Sequence, residues 1–523
     1  MLNGNTLRDA ILASAAGLEA NRHRVDELNV FPVPDGDTGT NMSMTLSNAV
    51  GPLKQMNDAP VYDVIQQAAK CLLRGARGNS GVILSLMFRG FAKGFKGVEQ
   101  VDSAVIANAL TIASDSAYKA VMKPTEGTIL TVLRGAAEVA TEVSKNTDDA
   151  LETFEAACKE AHRQLDLTPE ILPVLKKAGV VDSGGAGLCV IFDAALASFK
   201  GEAPAEPEAV TEQQTAFAYG LKFAVQLNSA DLSQGFRAFV ESKGNLTLCE
   251  TKDDIMSFEI CTDNPLEILN ESQKYGEAVS AELTRFEVKS KPANETPALE
   301  RVEPTEKYGF VTVAAGEGIA QMFSDLGADI VVQGGQTMNP STQDILNAVE
   351  ATPAKTVFVL PNNKNIIMAA EQAIPMASRK VCVLPTRSIP MGIGAMMAFD
   401  DEADVEQNLT QMRLAADATD SGLITYAVRD SEYAGHSIKK GEIMAINNGK
   451  LTFVETDIFK AVVKLVKELV KKSTTTIMLM YGDGVSDEQA EQIAAFITER
   501  YSNLDVVSLC GGQPVYHYII SVD

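Results

Sequence analysis

The spacing of hydrophobic residues predicts a helical N-terminal part of the chain. From residue 5 to about 199, apolar residues recur three and four positions apart, as at Leu7, Ile11 and Leu18. This spacing is typical of helices that bury one face, and alternating strand-like runs are almost absent there. The sequence therefore predicts an all-α domain over residues 1–200.

Two proline-rich stretches predict linkers that separate this domain from two later ones. Residues 201–216 contain prolines and glutamates without a basic residue, and residues 287–306 contain three prolines. Such compositions favour solvated, irregular backbone. Between them, residues 217–286 mix strand-like runs with helical patterns, which predicts a small α+β middle domain.

Residues 307–523 are predicted to form an α/β domain. Four β-rich runs alternate with helical segments, an order that indicates parallel strands joined by crossover helices. The four runs are Gly309–Ala314, Asp329–Gln333, Thr356–Leu360 and Lys380–Leu384. Further on, Asn448-Gly449 separates two short strand-like runs and predicts a tight hairpin.

Composition narrows the functional classes. The chain has 523 residues, enough for about three domains. A formal net charge of −24 opposes nonspecific binding to nucleic acid. No apolar run approaches the roughly 20 residues of a membrane span, and the first residues lack a signal-peptide pattern, so we expect a cytoplasmic protein without stable membrane insertion. The seven cysteines and four histidines are scattered, which predicts neither disulfides nor a zinc cluster.

The segment Asp35-Gly36-Asp37 carries the first candidate chemistry. It places two carboxylates on a turn immediately before a predicted helix. Magnesium in nucleotide sites accepts one or two carboxylates together with phosphate oxygens and water. The backbone N–H groups of residues 38–41 would then receive phosphate at the helix N-terminus. An ordinary Asx turn is the alternative, and it would be favoured if this tripeptide stood alone.

Three further turns of small residues open predicted helices in the same domain. These three turns are residues 74–81, 123–129 and 181–187. Helix capping explains any one of them, because a cap and a phosphate site use the same unpaired N–H groups. Four such turns in one helical domain exceed what capping requires.

These four segments, in this order, resemble the nucleotide-binding subunit of dihydroxyacetone kinases, the DhaL type. The variant Asn29-Val-Phe-Pro-Val-Pro-Asp-Gly-Asp-Thr-Gly-Thr-Asn41 is more similar still to the catalytic subunit of bacterial fatty acid kinases. The C-terminal Gly-Gly-Gln-Pro-Val-Tyr-His-Tyr-Ile-Ile-Ser-Val-Asp523 and the three-part layout extend that resemblance over nearly the whole chain.

The resemblance implies an eight-helix barrel that holds ATP and two magnesium ions and phosphorylates a fatty acid. A separate fatty-acid-binding carrier protein would present this substrate, docked by the C-terminal domain, and the product would be an acyl phosphate for phospholipid synthesis. Asp35 and Asp37 match the catalytic metal ligands, and Asn29 is a weaker third match. The implied nucleotide contacts are Thr38, Gly39, Thr40, Asn41, Asn79, Ser80, Gly81, Thr125, Thr128, Ile129, Asp182, Ser183 and Gly184.

One departure from the resemblance concerns zinc. Members of the family can carry a Cys and a His-x-His in the middle domain, whereas this chain has Cys261 without the histidines. An isolated cysteine is far more often a buried hydrophobe than a metal ligand. We therefore predict no zinc site in the middle domain.

The chemistry leaves two alternatives open. A fatty acid carboxylate, with a pKa of about 4.3 like that of Glu, is already ionised near pH 7 and needs no general base. A dihydroxyacetone-type kinase is the first alternative, but its hydroxyl acceptor needs help to lose a proton. The second is a nonenzymatic nucleotide-binding regulator. The sequence leaves open the cognate carrier, the preferred fatty acid and whether the chain forms a homodimer.

Overall fold

The computed structural model describes most of the chain in two compact units. One unit contains residues 1–205 and 299–523, and the other contains residues 206–298. The described residues are 2–30, 36–98, 100–121, 123–202, 219–227, 229, 233–241, 243–252, 255–262, 264–285, 299–335, 338–427, 431–433 and 436–523. Asp35, a predicted metal ligand, lies outside the described residues.

The N-terminal part is helical, as its hydrophobic spacing predicts. In α5 the buried residues include Val64, Ala68 and Leu72, spaced four apart along one face. The helices of the described residues are α1 (Gly4–Ala20), α2 (Arg22–Glu27), α3 (Thr38–Ser47), α4 (Val50–Lys54), α5 (Val61–Gly75), α6 (Gly78–Gly94), α7 (Ser103–Ala120), α8 (Ile129–Val143), α9 (Ala150–Ile171), α10 (Pro173–Ala178) and α11 (Ser183–Phe199).

The second unit is an antiparallel sheet with two helices. Its elements are β1 (Tyr219–Leu227), α12 (Ser233–Glu241), β2 (Asn245–Lys252), β3 (Ile255–Thr262), α13 (Pro265–Ser272) and β4 (Gly276–Arg285). The strand order is β2-β3-β1-β4. In its core the ring of Phe258 stacks on Phe223 with centroids 5.0 Å apart and meets Phe236 edge-on at 5.1 Å. Cys261 is buried on β3.

The C-terminal part contains a parallel sheet followed by a mixed one. The parallel sheet has the strand order β6-β5-β7-β8, and the mixed sheet has the order β13-β12-β9-β16-β14-β15. The elements are β5 (Glu306–Ala314), α14 (Glu317–Asp325), β6 (Ile330–Gln333), α15 (Thr342–Ala351), β7 (Ala354–Leu360), α16 (Lys364–Ala373), β8 (Lys380–Val383), α17 (Ile389–Met397), α18 (Val405–Ala418), β9 (Asp420–Tyr426), β10 (Ser431–Tyr433), β11 (His436–Ile438), β12 (Ile443–Asn447), β13 (Lys450–Glu455), α19 (Ile458–Leu469), β14 (Thr476–Tyr481), α20 (Asp487–Arg500), β15 (Asp505–Cys510) and β16 (Tyr516–Val522).

Two local predictions for this part are confirmed. The strands β5 to β8 correspond to the four predicted β-rich runs, and their ladders are all parallel. Strands β12 and β13 form an antiparallel hairpin across Asn448 and Gly449. Both turn residues have positive φ, 46° and 78°, as a tight two-residue hairpin requires.

The helical part and the parallel sheet share a hydrophobic core. Ala76, two residues before α6, and Val82 and Leu86 within it are fully buried in one cluster with residues of β5, α15, β7 and α16. The apolar outer face of α6 is therefore covered by the C-terminal part of the chain. This contact places the N-terminus of α6 beside the loops that follow β6 and β7.

Candidate active site

Three of the four glycine-rich turns are joined by direct contacts. The hydroxyl of Ser183, at the start of α11, donates to Thr38 Oγ1 at the start of α3 over 3.2 Å. A Cβ atom on Gly184 would lie 3.2 Å from the Cβ of Ile129, the first residue of α8. The first turns of α3, α8 and α11 therefore meet at one end of the helical part.

The remaining turn, at the start of α6, packs against α3. A Cβ on Gly78 would lie 2.5 Å from Asn41 Nδ2, and a Cβ on Gly81 would lie 2.2 Å from Thr45 Oγ1. The small residues of this turn therefore allow α6 to approach α3 closely. All four predicted turns are thus brought together, although Thr38 and Ser183 are 145 residues apart in the sequence.

Asp37 is the N-cap residue of α3, but its side chain does not cap the helix. The cap comes from Asp26 at the end of α2, whose carboxylate accepts the Thr40 N–H at 3.0 Å and the Thr40 hydroxyl at 2.7 Å. Burial raises the pKa of Asp26, and the hydrogen bonds from Thr40 and Gly39 oppose that rise. Capping of α3 therefore does not account for the Asp37 carboxylate. Asp26 is not among the residues predicted from the sequence.

These contacts correct one part of the predicted phosphate cradle. The Thr40 N–H is taken by Asp26, and the Asn41 N–H donates to the Asp37 carbonyl at 2.8 Å within the helix. Neither group is available to receive phosphate in this structure. The sequence could not show this, because the competing acceptor Asp26 precedes the turn on a separate helix.

Asp182 organises the turns before α8 and α11. It is buried, and its carboxylate accepts the Gly185 N–H at 2.7 Å. The N–H groups of Ile129 and Gly184 also point at it and lower its pKa, but burial dominates and raises the pKa to about 6. One carboxylate therefore serves the N-termini of both α8 and α11, which explains Asp182 as a structural residue of the site.

The residues Thr125 and Thr128 lie in a braced loop before α8. The Thr128 hydroxyl donates to the Thr125 carbonyl at 2.7 Å. Between them, Glu126 accepts from the Thr131 hydroxyl at 2.6 Å and from the Arg134 guanidinium at 2.7 and 2.9 Å. The loop is therefore braced by its own side chains and by those of Thr131 and Arg134 in α8.

The N-terminus of α6 is the turn best suited to receive phosphate. The helix begins at Gly78 without a side-chain cap. The first intrahelical bond runs from the Gly81 N–H to the Arg77 carbonyl at 3.1 Å. Because the opening N–H groups of a helix have no intrahelical acceptor, those of Gly78, Asn79 and Ser80 form a donor set for an anion.

Side chains of the C-terminal part enter the site, a contribution that was not predicted from the sequence. Asn339, in the loop between β6 and α15, donates from Nδ2 to Asp37 Oδ2 at 2.7 Å and to Asn41 Oδ1 at 3.3 Å. Asn79 Nδ2 donates to Asn365 Oδ1 at 3.1 Å. A sequence signal was present, because both asparagines follow strands at the end where open α/β sheets bind ligands. The signal was weak, because asparagine is also common in ordinary turns.

The residues around Asp37 fit a hard divalent cation. Asp37 offers a carboxylate, and Asn29, which is 2% exposed, follows α2. Asn339 Oδ1 is buried and accepts no hydrogen bond within the described part of the chain. Oxygen donors of this kind suit magnesium, which needs only one or two protein carboxylates. Within the same described residues, no three His, Cys, Asp or Glu side chains cluster as a metal site.

A separate pocket lies within the C-terminal part. It opens at the carboxyl ends of the parallel strands and is lined by Ala314, Gly334, Asn362 and Arg387, among others. Tyr516 and Ile519 of β16 also line it. The pocket is mainly apolar, with Arg387 as its basic residue.

Comparison with known proteins identifies the family. Residues 32–197 match the DAK2 domain, and residues 309–523 match the FakA-like C-terminal domain of fatty acid kinases. Protein YloV of Bacillus subtilis is 39% identical over 553 residues, which cover 100% of this chain and 99% of YloV. The chain belongs to the FakA-like fatty acid kinase family. An uncharacterized protein of Staphylococcus haemolyticus, SH1689, is 34% identical over 549 residues, with the same coverage of both chains.

Among solved structures, this member of the family is similar to the dihydroxyacetone kinase from C. freundii in complex with AMP-PNP and Mg²⁺. The match covers 37% of this chain and 33% of that one, at 18% identity and a TM-score of 0.30. Across the described residues, no helix combines the length and the apolar character needed to cross a membrane.

Proposed function

We propose that this chain is the catalytic subunit of a fatty acid kinase. It transfers the γ-phosphoryl group of ATP to the carboxylate of a fatty acid that a separate fatty-acid-binding protein presents, and it releases acyl phosphate. The observation that carries the proposal is the convergence of four helix-opening turns around Asp37, in a chain that belongs to the FakA-like family.

We assign roles to the residues from the contacts described above and, for Asp35 and Asn29, from the family resemblance. The uncapped N-terminus of α6 binds phosphate through the N–H groups of Gly78, Asn79 and Ser80. Asp37, with Asp35 and Asn29, would hold magnesium, which neutralises the charge that develops on the transferred phosphoryl group. The hydroxyls of Thr38 and Ser183, which touch each other, provide further polar contacts for the phosphates.

The braced loop of residues 125–128 and the start of α8 complete the nucleotide pocket. Thr125, Thr128 and Ile129 would contact the nucleotide, and Asp182 holds the α8 and α11 turns in register. A fixed pocket of this kind contributes to phosphoryl transfer through positioning, because little covalent chemistry is required of the protein.

A carboxylate acceptor is favoured because it requires no general base. A fatty acid carboxylate is ionised near pH 7 and attacks phosphorus without losing a proton. The C-terminal domain is proposed to dock the carrier. Its residues Asn339 and Asn365 already contact the kinase turns, so a carrier bound at this end of the domain would lie near the phosphates.

The test is an acyl-phosphate assay on the full chain. Purified protein, ATP, magnesium and a fatty acid are incubated with and without a fatty-acid-binding protein, and acyl phosphate is trapped with hydroxylamine while ADP is measured. We expect product only when the carrier is present. The control variant is Asp115→Ala, which removes an exposed carboxylate of α7 and should leave turnover unchanged.

Two results would replace this proposal. ATP turnover with dihydroxyacetone in place of the fatty acid and its carrier would indicate a small-molecule kinase. Tight ATP binding without turnover under every acceptor and carrier would indicate a nonenzymatic regulator.

A further inference from the structure

Asn339 links the C-terminal part of the chain to the turn that carries Asp37. Its side chain is 3% exposed, so it lies in the interface and not on the surface. Its Nδ2 group donates to Asp37 Oδ2 at 2.7 Å and to Asn41 Oδ1 at 3.3 Å. An amide nitrogen has two hydrogens, and both are used by these oxygen acceptors.

These two acceptors decide which way the amide faces. If the amide were rotated by 180°, Asn339 Oδ1 would lie against the Asp37 carboxylate and repel it. The observed orientation therefore leaves Oδ1 as a buried acceptor, and no donor among the described residues meets it. Buried polar atoms in native proteins are nearly always satisfied, and an unsatisfied one costs about 1–3 kcal/mol. A ligand of this site would supply the missing partner.

The backbone around Asn339 is held against the start of α6. Arg77 donates to the Asn339 carbonyl at 2.7 Å and pairs with Asp344 at 3.4 Å. The Thr342 N–H donates to the Ala76 carbonyl at 3.1 Å. These contacts hold the Asn339 backbone against the start of α6.

We propose that Asn339 is a positioning residue of a divalent-cation site centred on the Asp37 turn. Its Nδ2 holds one carboxylate oxygen of Asp37 in place, and its Oδ1 accepts a hydrogen bond from the cation's hydration shell. Ligating carboxylates are commonly oriented by such hydrogen bonds. The C-terminal part would therefore help to orient a ligand of a metal site that the helical domain carries.

The inference rests on the proposed function only in assigning the cation to Asp37. The probe is Mn²⁺, whose free concentration is measured by electron paramagnetic resonance with the full chain and without nucleotide. Loss of an outer hydrogen bond typically weakens metal affinity about 10–100-fold. We expect that weakening for Asn339→Ala, with the melting temperature close to that of the wild type.

Matched variants separate a cation role from a packing role. Asn347→Ala is the control, because Asn347 lies on α15 of the same segment with its side chain exposed. Asn339→Leu keeps the volume but removes both polar atoms, so it should fold and still lose Mn²⁺ affinity. In the Asp37→Ala background, Asn339→Ala should have no further effect.

Turnover provides a second measurement. In Asn339→Leu the magnesium concentration for half-maximal ATP turnover should rise about 10–100-fold, and saturating magnesium should restore most of kcat. This inference would be overturned if both Asn339 variants bound Mn²⁺ with wild-type affinity while Asp37→Ala lost affinity. The proposed function would then still stand. Wild-type Mn²⁺ affinity in Asp37→Ala would instead show that the cation site itself is wrongly placed.

Discussion

The close approach of α3 and α6 makes Gly81 sensitive to the smallest substitution. In Gly81→Ala the new Cβ would lie 2.2 Å from Thr45 Oγ1 and 3.2 Å from the Asn41 carbonyl oxygen. Thr45 is fully buried, and its hydroxyl donates to the Asn41 carbonyl at 2.6 Å and accepts the Arg77 N–H at 3.2 Å. The hydroxyl therefore cannot rotate away without breaking both bonds.

The expected loss of stability follows from three contributions. Overpacking of a buried contact costs about 1–3 kcal/mol, and a buried group left without its hydrogen bond costs a similar amount. Replacing glycine by alanine within a helix returns about 1 kcal/mol. We therefore expect Gly81→Ala to lower the free energy of unfolding by about 1–5 kcal/mol and to lower the melting temperature by several degrees.

The assay is thermal unfolding of the full chain, with ATP affinity measured by calorimetry. Gly51→Ala is the control, because a Cβ there meets nothing within 4 Å and the substitution should be neutral or slightly stabilising. Adding Thr45→Ala removes the oxygen that the new Cβ meets. The double variant should therefore be more stable than the sum of the two single losses predicts.

Two results would refute this reasoning. In the first, Gly81→Ala has the same melting temperature as the wild type. In the second, the stability losses of Gly81→Ala and Thr45→Ala add in the double variant. Either result would mean that α3 and α6 are not held as closely as the structure shows. ATP affinity should fall together with stability, because these helices carry two of the four turns.

Three further predictions concern the carboxylates of the site. Asp37→Ala should abolish magnesium-dependent ATP turnover while the chain still folds, and normal turnover would contradict the proposed cation site. Asp26→Ala should cost about 1 kcal/mol of unfolding free energy by removing the α3 cap, which chemical denaturation measures; an unchanged midpoint would contradict the cap. Burial raises the pKa of Asp182 to about 6, so the folded state binds this proton more tightly than the unfolded chain. Asp182 therefore contributes fully to the free energy of unfolding at about pH 4. As pH rises to about 6, this contribution falls by up to about 3 kcal/mol. The difference in melting temperature between Asp182→Asn and the wild type should change from about pH 4 to about pH 6. A constant difference would contradict the raised pKa of Asp182.

The sequence by itself determined the local elements and the chemistry available to them. Apolar residues three and four apart specify amphipathic helices such as α5, and β-rich runs alternating with helices specify the parallel strands β5 to β8. Asn448-Gly449 specified its hairpin, because these two residues adopt positive φ at low cost. The sequence also indicated a candidate metal site at the Asp37 segment, because two carboxylates on a glycine turn are recognisable within a few consecutive residues.

Only the tertiary structure decided how these segments are used. Asp26 accepts the N–H of Thr40, and Asp182 accepts N–H groups at the starts of α8 and α11. The α6 turn, which has no side-chain cap, therefore remains as the donor set for phosphate. Asn339 lies 302 residues from Asp37 in the sequence, and asparagine after a strand is ordinary turn chemistry. Its contact with Asp37 exists because the apolar face of α6 packs on the C-terminal core, a long-range event that no local pattern of residues records.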